Sequence, residues 1–154
     1  MKVCVKHVED HAFIAKSESN HWIPFDTGPA SGGSAGASDP FQTFIMSCAG
    51  CVSIDVVDIL KKSRKPHRNY GLQLEATRAD SIPKIVRHLY FHAHVDGDDI
   101  SHELVERALR LSLTRYCSVS LSLDRSVTFS IRATVNGHRG EWIAIPRDPA
   151  LYSR

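Results

Sequence analysis

The sequence predicts an α+β fold built on antiparallel sheet. Three observations carry that expectation. Strand-like segments come in runs, three before the first helical stretch and two before the next. The strands of a run are joined by short turn signals, which suits hairpins rather than the one-helix-per-strand alternation of a doubly wound sheet. The third observation is a helical segment from Asp39 to about Arg64 that is apolar almost all round, so one sheet covers only part of it and something else must cover the rest. At 154 residues the chain is read as one domain, 1–154, large enough to bury a core of its own.

Taken in order, the elements run βββ-α-ββ-α-(α)-β. Residues 2–6 alternate, with Val3 and Val5 on one side and Lys2, Cys4 and Lys6 on the other, which suits a strand. Glu9-Asp10 is a turn, and 11–17 and 21–26 complete a small meander. Residues 28–38, GPASGGSAGAS, read as a flexible Gly/Ser connector. They lack the Lys-Ser/Thr ending of a P-loop and the G-x-G-x-x-G spacing. Asp39 then suits an N-cap and Pro40 the first helical position. Phe44, Ile45, Met46, Cys48, Ala49, Val52, Ile54, Val56, Val57, Ile59 and Leu60 fill the helix. Lys61, Lys62, Arg64 and Lys65 suit its C-terminal end, where carbonyl groups carry partial negative charge, and Pro66 stops it.

Residues 70–79 and 84–95 alternate as the two strands of a long hairpin, with Pro83 in the turn. Ser101 starts an amphipathic helix, a rough cap signal rather than a capping box. Its apolar stripe is read as Leu104, Ala108 and Leu111 with Val105 and Leu109 on the edge. The pattern changes around Thr114–Cys117, and a short second helix from Cys117 reaches Leu123. Residues 126–135 form the last strand, ended by Asn136-Gly137. The stretch 140–154 is read as a C-terminal tail on the surface.

Composition narrows the function classes. Charged residues make up 23% and hydrophobic residues 42%, with a formal net charge of +2, as in an ordinary soluble protein. No stripe of Lys and Arg suggests a nucleic-acid partner. No apolar h-region opens the chain, and the uncharged run from Pro40 to Ile54 is broken by Asp55 and Asp58, so no membrane partner is expected. A cytoplasmic location follows, where the four cysteines, Cys4, Cys48, Cys51 and Cys117, rest reduced.

Those cysteines hold the chemistry. Cys48 and Cys51 make a C-x-x-C, yet inside a helix rather than at a helix start after a strand, so they do not resemble a thioredoxin-like pair. An i, i+3 pair in a regular helix fits disulfide geometry poorly. Cys51 lies about three turns into its helix, too deep for the helix dipole to favour its thiolate. Cys117 sits where one helical pattern stops. Spacing alone leaves three readings open: Cys48 with Cys51, a distant pairing with Cys117, or small buried hydrophobes.

The segment Asp39–Leu60, DPFQTFIMSCAGCVSIDVVDIL, resembles the OsmC/Ohr family of thiol-dependent hydroperoxide reductases. The likeness lies in a Pro-led helix, a small-residue run ending in Cys, and the continuation Gly50-Cys51-Val52-Ser53-Ile54-Asp55-Val56-Val57. Tyr116-Cys117-Ser118-Val119 matches the family's second cysteine motif, 66 positions after Cys51 (117 − 51). The resemblance extends over roughly residues 1–136. It implies an OsmC-like fold in which antiparallel sheets wrap two central helices in an intertwined homodimer, with sites at the subunit interface. It also implies that Cys51 is the attacking and Cys117 the resolving cysteine. Cys51 reduces a small-molecule organic hydroperoxide and becomes a sulfenic acid, Cys117 condenses with it to a disulfide, and an external dithiol restores the pair. No cofactor or metal is called for.

The chain departs from that pattern in one respect. Peroxide-active members pair a Glu just after the opening Pro with an Arg from the N-terminal strands. Here Phe41 and Gln42 follow Pro40, and the first 63 residues hold no Arg. Lys16 and Gln42 are the nearest substitutes, and neither makes an Arg–Glu fork. The alternative function is therefore a non-catalytic OsmC-fold protein that binds a small apolar ligand at a dimer interface. His88, His92 and His94 share one face of their strand, but polar-out, apolar-in alternation explains them without zinc. Cys4 near His7 carries no stronger signal, and Asp55 and Asp58 are expected to cap or pair at an interface.

Overall fold

The computed structural model describes residues 1–147. They form two compact units, Met1–Ile45 and the chain from Met46 onward. The first is the expected meander: β1 (Val3–Glu9), β2 (Ala12–Ser17) and β3 (Trp22–Phe25), antiparallel in the order β1-β2-β3. It buries little by itself. Ala15 and Asp26 are its buried side chains, while Val3, Val5, Val8, Trp22 and Ile23 stay exposed.

Residues 28–38, expected as a flexible connector, are instead wound round Asp26. Its carboxylate accepts from the amides of Thr27 (2.7 Å), Ser34 (3.1 Å) and Gly36 (2.9 Å) and from Ser34 Oγ (2.7 Å). A single 3₁₀ turn, Pro29–Ser31, lies within the loop. Gly33 is required there: a Cβ would stand 2.2 Å from the Thr27 carbonyl oxygen. The Ser34 hydroxyl first, and the amides with it, hold the Asp26 carboxyl down at about 2. Composition signalled looseness because it cannot register a carboxylate that gathers loop amides.

The helix α1 (Pro40–Lys62) starts with a reciprocal cap. The Gln42 amide donates to Asp39 Oδ1 (2.8 Å) and the Asp39 amide to Gln42 Oε1 (3.1 Å), a capping box built on Asp and Gln. Its far end closes as expected. Ser63 Oγ donates to the Ile59 carbonyl (2.8 Å), Arg64 turns left-handed, and Lys65 pairs with Asp99. Along the helix, Cys48, Val52, Val56 and Leu60 make one fully buried i, i+4 stripe. Met46 and Ile54 lie bare, 53% and 67% exposed, so the helix is covered on one side only. An 18-residue window of the helix has a mean hydropathy of 1.8, which makes it long and apolar enough to cross a membrane by length and composition. That corrects the expectation that Asp55 and Asp58 rule this out, since two carboxylates in an 18-residue apolar window leave its average high.

The second unit carries a five-stranded sheet. β4 (Asn69–Arg78) and β5 (Val86–Asp96) form the long hairpin in antiparallel register, Leu72 opposite Ala93 and Leu74 opposite Phe91. β6 (Thr128–Val135) then lies parallel to β5, Phe91 opposite Ile131. The sheet is therefore mixed, where an all-antiparallel one was expected. A parallel neighbour needs a crossover, and the helical stretch between β5 and β6 supplies it: α2 (His102–Leu111), one wide π turn (Ser112–Tyr116) and α3 (Ser118–Leu121). Ser101 is a true N-cap, its Oγ accepting from the Leu104 amide at 3.2 Å. The buried stripe of α2 is Val105, Ala108 and Leu109, shifted round from the expected Leu104–Leu111 line.

Leu89, Phe91, Ala93 and Val95 of β5 and Phe129, Ile131, Ala133 and Val135 of β6 form the buried sheet face, with Phe91 edge-on to Phe129 at 5.9 Å. Asn136 and Gly137 both have positive φ, 49° and 80°, the turn that returns a hairpin. It leads into β7 (His138–Arg139), and β8 (Ile143–Ile145) comes next, pairing antiparallel with β6. Within the described residues, then, Ile143–Ile145 of the tail joins the sheet. Ile145 is buried, and Trp142 stacks against the Arg132 guanidinium at 4.2 Å. The rest of the expected tail, residues 148–154, lies outside the described residues.

Candidate active site

Cys51 stands one turn beyond Cys48 on α1, and Asp55 one turn beyond Cys51, so all three point to one side of the helix. Opposite them the π turn ends. The Cys117 amide donates to the Ser112 carbonyl five residues back, at 2.9 Å. Such a wide turn rotates the residues after it relative to a regular helix, and here it brings Cys117 against α1. The Sγ atoms of Cys51 and Cys117 and a carboxylate oxygen of Asp55 all lie within 4.8 Å of one another. Cys48 and Cys51 each hydrogen-bond the Cys117 sulfur, and the Ser120 amide donates to it at 3.4 Å. Ser112 Oγ donates to Asp55 Oδ2 at 2.7 Å, and the Tyr70 hydroxyl to Ser53 Oγ at 3.3 Å. These bonds tie α1 to the end of α2 and to β4.

The structure thus brings together the two cysteines singled out from the sequence, and with them Cys48, Asp55 and Ser112. All three cysteines are unbridged. Cys48 and Cys117 are fully buried, while Cys51 is half-buried and so is the thiol a solute reaches first. Sequence reasoning left the role of Cys48 open and missed its contact with Cys117. It gave Asp55 no part at this site, although its i, i+4 spacing from Cys51 was a usable signal.

Charge is unevenly shared among the sulfurs. The hydrogen bond from Cys48, helped by those from Cys51 and Ser120, pulls Cys117 down to about 5 against the opposing effect of burial. Cys48 is pushed up, chiefly because its S–H is held by Cys117. Burial first, then the bond to Cys117 and the nearby Asp55 charge, push Cys51 up too, with the Val119 amide working the other way. Of the three sulfurs, Cys117 is thus the one whose surroundings favour the thiolate, while those of Cys48 and Cys51 favour the thiol.

The substitutes for the Glu–Arg pair are engaged elsewhere. Gln42 is one half of the capping box. Lys16 donates to Asn20 Oδ1 and lies 4.8 Å from the centre of the Trp22 ring. On β5, His92 and His94 stack with ring centroids 3.9 Å apart, and no third histidine, cysteine or carboxylate joins them as a metal-binding group among the described residues. His88 bonds Thr128 Oγ1 (2.5 Å) and Ser130 Oγ (3.0 Å), and His92 bonds Thr134 Oγ1 (2.8 Å) while accepting from Arg132 (3.1 Å). Burial, with the neighbouring His94 and arginines, holds His92 down at about 4, so it is neutral near pH 7.

Residues 32–132 match the family model described as OsmC-like protein. The chain belongs to the OsmC family. Among curated OsmC-type relatives, it is 35% identical to Protein YhfA of Escherichia coli K12 over 132 residues, covering 84% of this chain and 94% of YhfA. Solved structures share the fold. A hypothetical protein from Aquifex aeolicus VF5 superposes with a TM-score of 0.76 at 23% identity, covering 88% of this chain and 95% of that one. An organic hydroperoxide resistance protein OsmC from Legionella pneumophila gives 0.67 at 14% identity, covering 88% and 98%. The family match runs across the boundary between the two compact units.

Proposed function

We propose that this OsmC protein is a cysteine-based hydroperoxide reductase, with Cys51 attacking and Cys117 resolving. One observation carries the reading: two sulfurs 66 positions apart in the chain (117 − 51) come within 4.8 Å of each other, the half-buried Cys51 on the accessible side and Cys117 fully buried behind it. As an organic hydroperoxide enters, Cys51 gives up its proton to solvent and attacks the terminal peroxide oxygen as the thiolate. The O–O bond breaks, the alkoxide takes a proton from solvent and leaves as the alcohol, and Cys51 becomes a sulfenic acid. The Cys117 sulfur then attacks Cys51 Sγ, a disulfide forms and water leaves. An external dithiol reduces the disulfide by two exchange steps.

The working form is a homodimer, read as one domain per chain. Support comes from the bare face of α1 and the exposed Val3, Val5, Trp22 and Ile23 of the meander, apolar surface of the kind that marks an interface. The compartment is the cytoplasm, in keeping with four free cysteines. The lack of a Glu–Arg pair favours a second reading, a fold member that binds an apolar ligand without turnover. One experiment separates the two. Reduced protein is treated with one equivalent of cumene hydroperoxide and its disulfides are mapped by mass spectrometry. A Cys51–Cys117 link is expected; thiols that persist under excess peroxide leave the ligand-binding reading standing.

A further inference from the structure

We propose that Cys51, Asp55 and Cys117 form a three-donor site for a thiophilic divalent cation such as Zn²⁺, and that occupancy and thiol oxidation exclude each other. The donor atoms are already gathered, all within 4.8 Å of one another. Zinc bonds of about 2.3 Å to sulfur and about 2.1 Å to oxygen set tetrahedral donors about 3.5–3.8 Å apart, so closure needs a contraction on the order of 1 Å. Two thiolates and one carboxylate suit a borderline-soft ion, whereas hard Mg²⁺ and Ca²⁺ prefer an all-oxygen shell. Rigid elements hold the donors: Cys51 and Asp55 sit one turn apart on α1, and Cys117 is fixed by the end of the π turn. Asp55 also has the outer partner that metal-binding carboxylates use, since Ser112 Oγ donates to its Oδ2 at 2.7 Å and leaves Oδ1 free to bind. The ion enters from the half-buried Cys51 and Asp55 side, Cys117 being fully buried. Its fourth position stays open for water or a small thiol.

The metal and the oxidant compete for the same electron pairs. Binding displaces the protons remaining on the two thiols. One hydroperoxide removes two electrons from the two thiolates: the S–S bond forms, the O–O bond breaks, and alcohol and water leave with two protons from solvent. The ion is released because a disulfide offers no thiolate. This second half rests on the reductase reading above; the binding site does not.

The test begins with anaerobic, fully reduced protein titrated with Zn²⁺ against a chromophoric chelator, and with Co²⁺ followed by its thiolate charge-transfer absorption. One ion per chain is expected. Cys51→Ser abolishes the charge-transfer band, Asp55→Ala weakens binding at least ~10-fold, and Ser112→Ala weakens it about 10-fold through the outer shell. His94→Ala changes nothing. Protein oxidised with a thiol-specific azo oxidant, which needs no peroxidase step, binds no ion. The site is overturned if reduced protein binds no Zn²⁺ at micromolar concentrations, or if Cys51→Ser binds as well as wild type while His94→Ala does not. Thermal melts identify any variant that fails to fold, and the half-buried Cys51 and Asp55 variants decide if buried ones do. If Zn²⁺ binds but cumene hydroperoxide is not consumed, the reductase reading falls and the metal site stands; if peroxide is consumed but Zn²⁺ does not bind, the reverse holds.

Discussion

At the scale of residues, burial and hydrogen bonding set the three clustered sulfurs apart, and the proposed reduction assigns their parts accordingly. Cys51→Ser is expected to stop peroxide consumption with the fold intact, read by peroxide assay and circular dichroism. Cys117→Ser is expected to leave a single oxidation event and a Cys51 sulfenic acid that a dimedone probe traps. Thiolate charge also couples to stability. Cys117 is held at about 5 against an ordinary thiol value of 9.0, so its contribution is fully present above 9, shrinks as pH falls toward 5 and is gone below it. Cys48 and Cys51 are raised, so their contribution holds below 9 and is lost above it. The melting temperature of reduced protein should climb from pH 5 toward 9 and fall beyond. Cys48→Ala, by removing the largest hydrogen bond to the Cys117 anion, should shift the rising limb to higher pH; an unshifted limb would refute that role.

At the scale of elements, two features organise the local structure. The first is the Asp26 carboxylate, which makes a Gly/Ser stretch into a defined loop. Asp26→Ala should speed hydrogen exchange at the Ser34 and Gly36 amides and open residues 28–38 to protease. In the wild type the same protection holds above the ordinary carboxylate range and is lost as pH falls through about 2. The second is the stripe Cys48-Val52-Val56-Leu60. Leu60 is fully buried, and Leu60→Ala should cost about 2–5 kcal/mol, measured by denaturant unfolding. Its i, i+4 spacing could not be read from a helix apolar on every side, because only packing chooses which side is inward. The stripe of α2 was misplaced for a related reason. Its hydrophobic residues span more than one face, and the sheet selects Val105, Ala108 and Leu109.

At the scale of the whole molecule, a single chain leaves apolar surface on α1 that water does not favour. Ile54, at 67% the most exposed large residue of that helix, is the place to test the dimer. If the proposed dimer uses this face, Ile54→Glu should lower the mass measured by light scattering to that of one chain and remove the rise of melting temperature with protein concentration. A mass unchanged by the substitution would remove this face from the interface.

Neighbour-to-neighbour physics was enough for much of this protein. Alternation located the meander and the long hairpin, Asp39-Pro40 and Pro66 bounded the helix, Asn136-Gly137 marked a turn, and the spacing around Cys51 and Cys117 marked the family. These signals are legible because the forces behind them act within a few residues. Tertiary structure decided what no local force sets. It placed β6 parallel to β5, drew β8 from the tail, wound the Gly/Ser loop round one carboxylate, and set Cys48, Asp55 and Ser112 beside the two cysteines. Each depends on segments far apart in sequence meeting once the core closes, and the chain alone does not state which of its faces will meet.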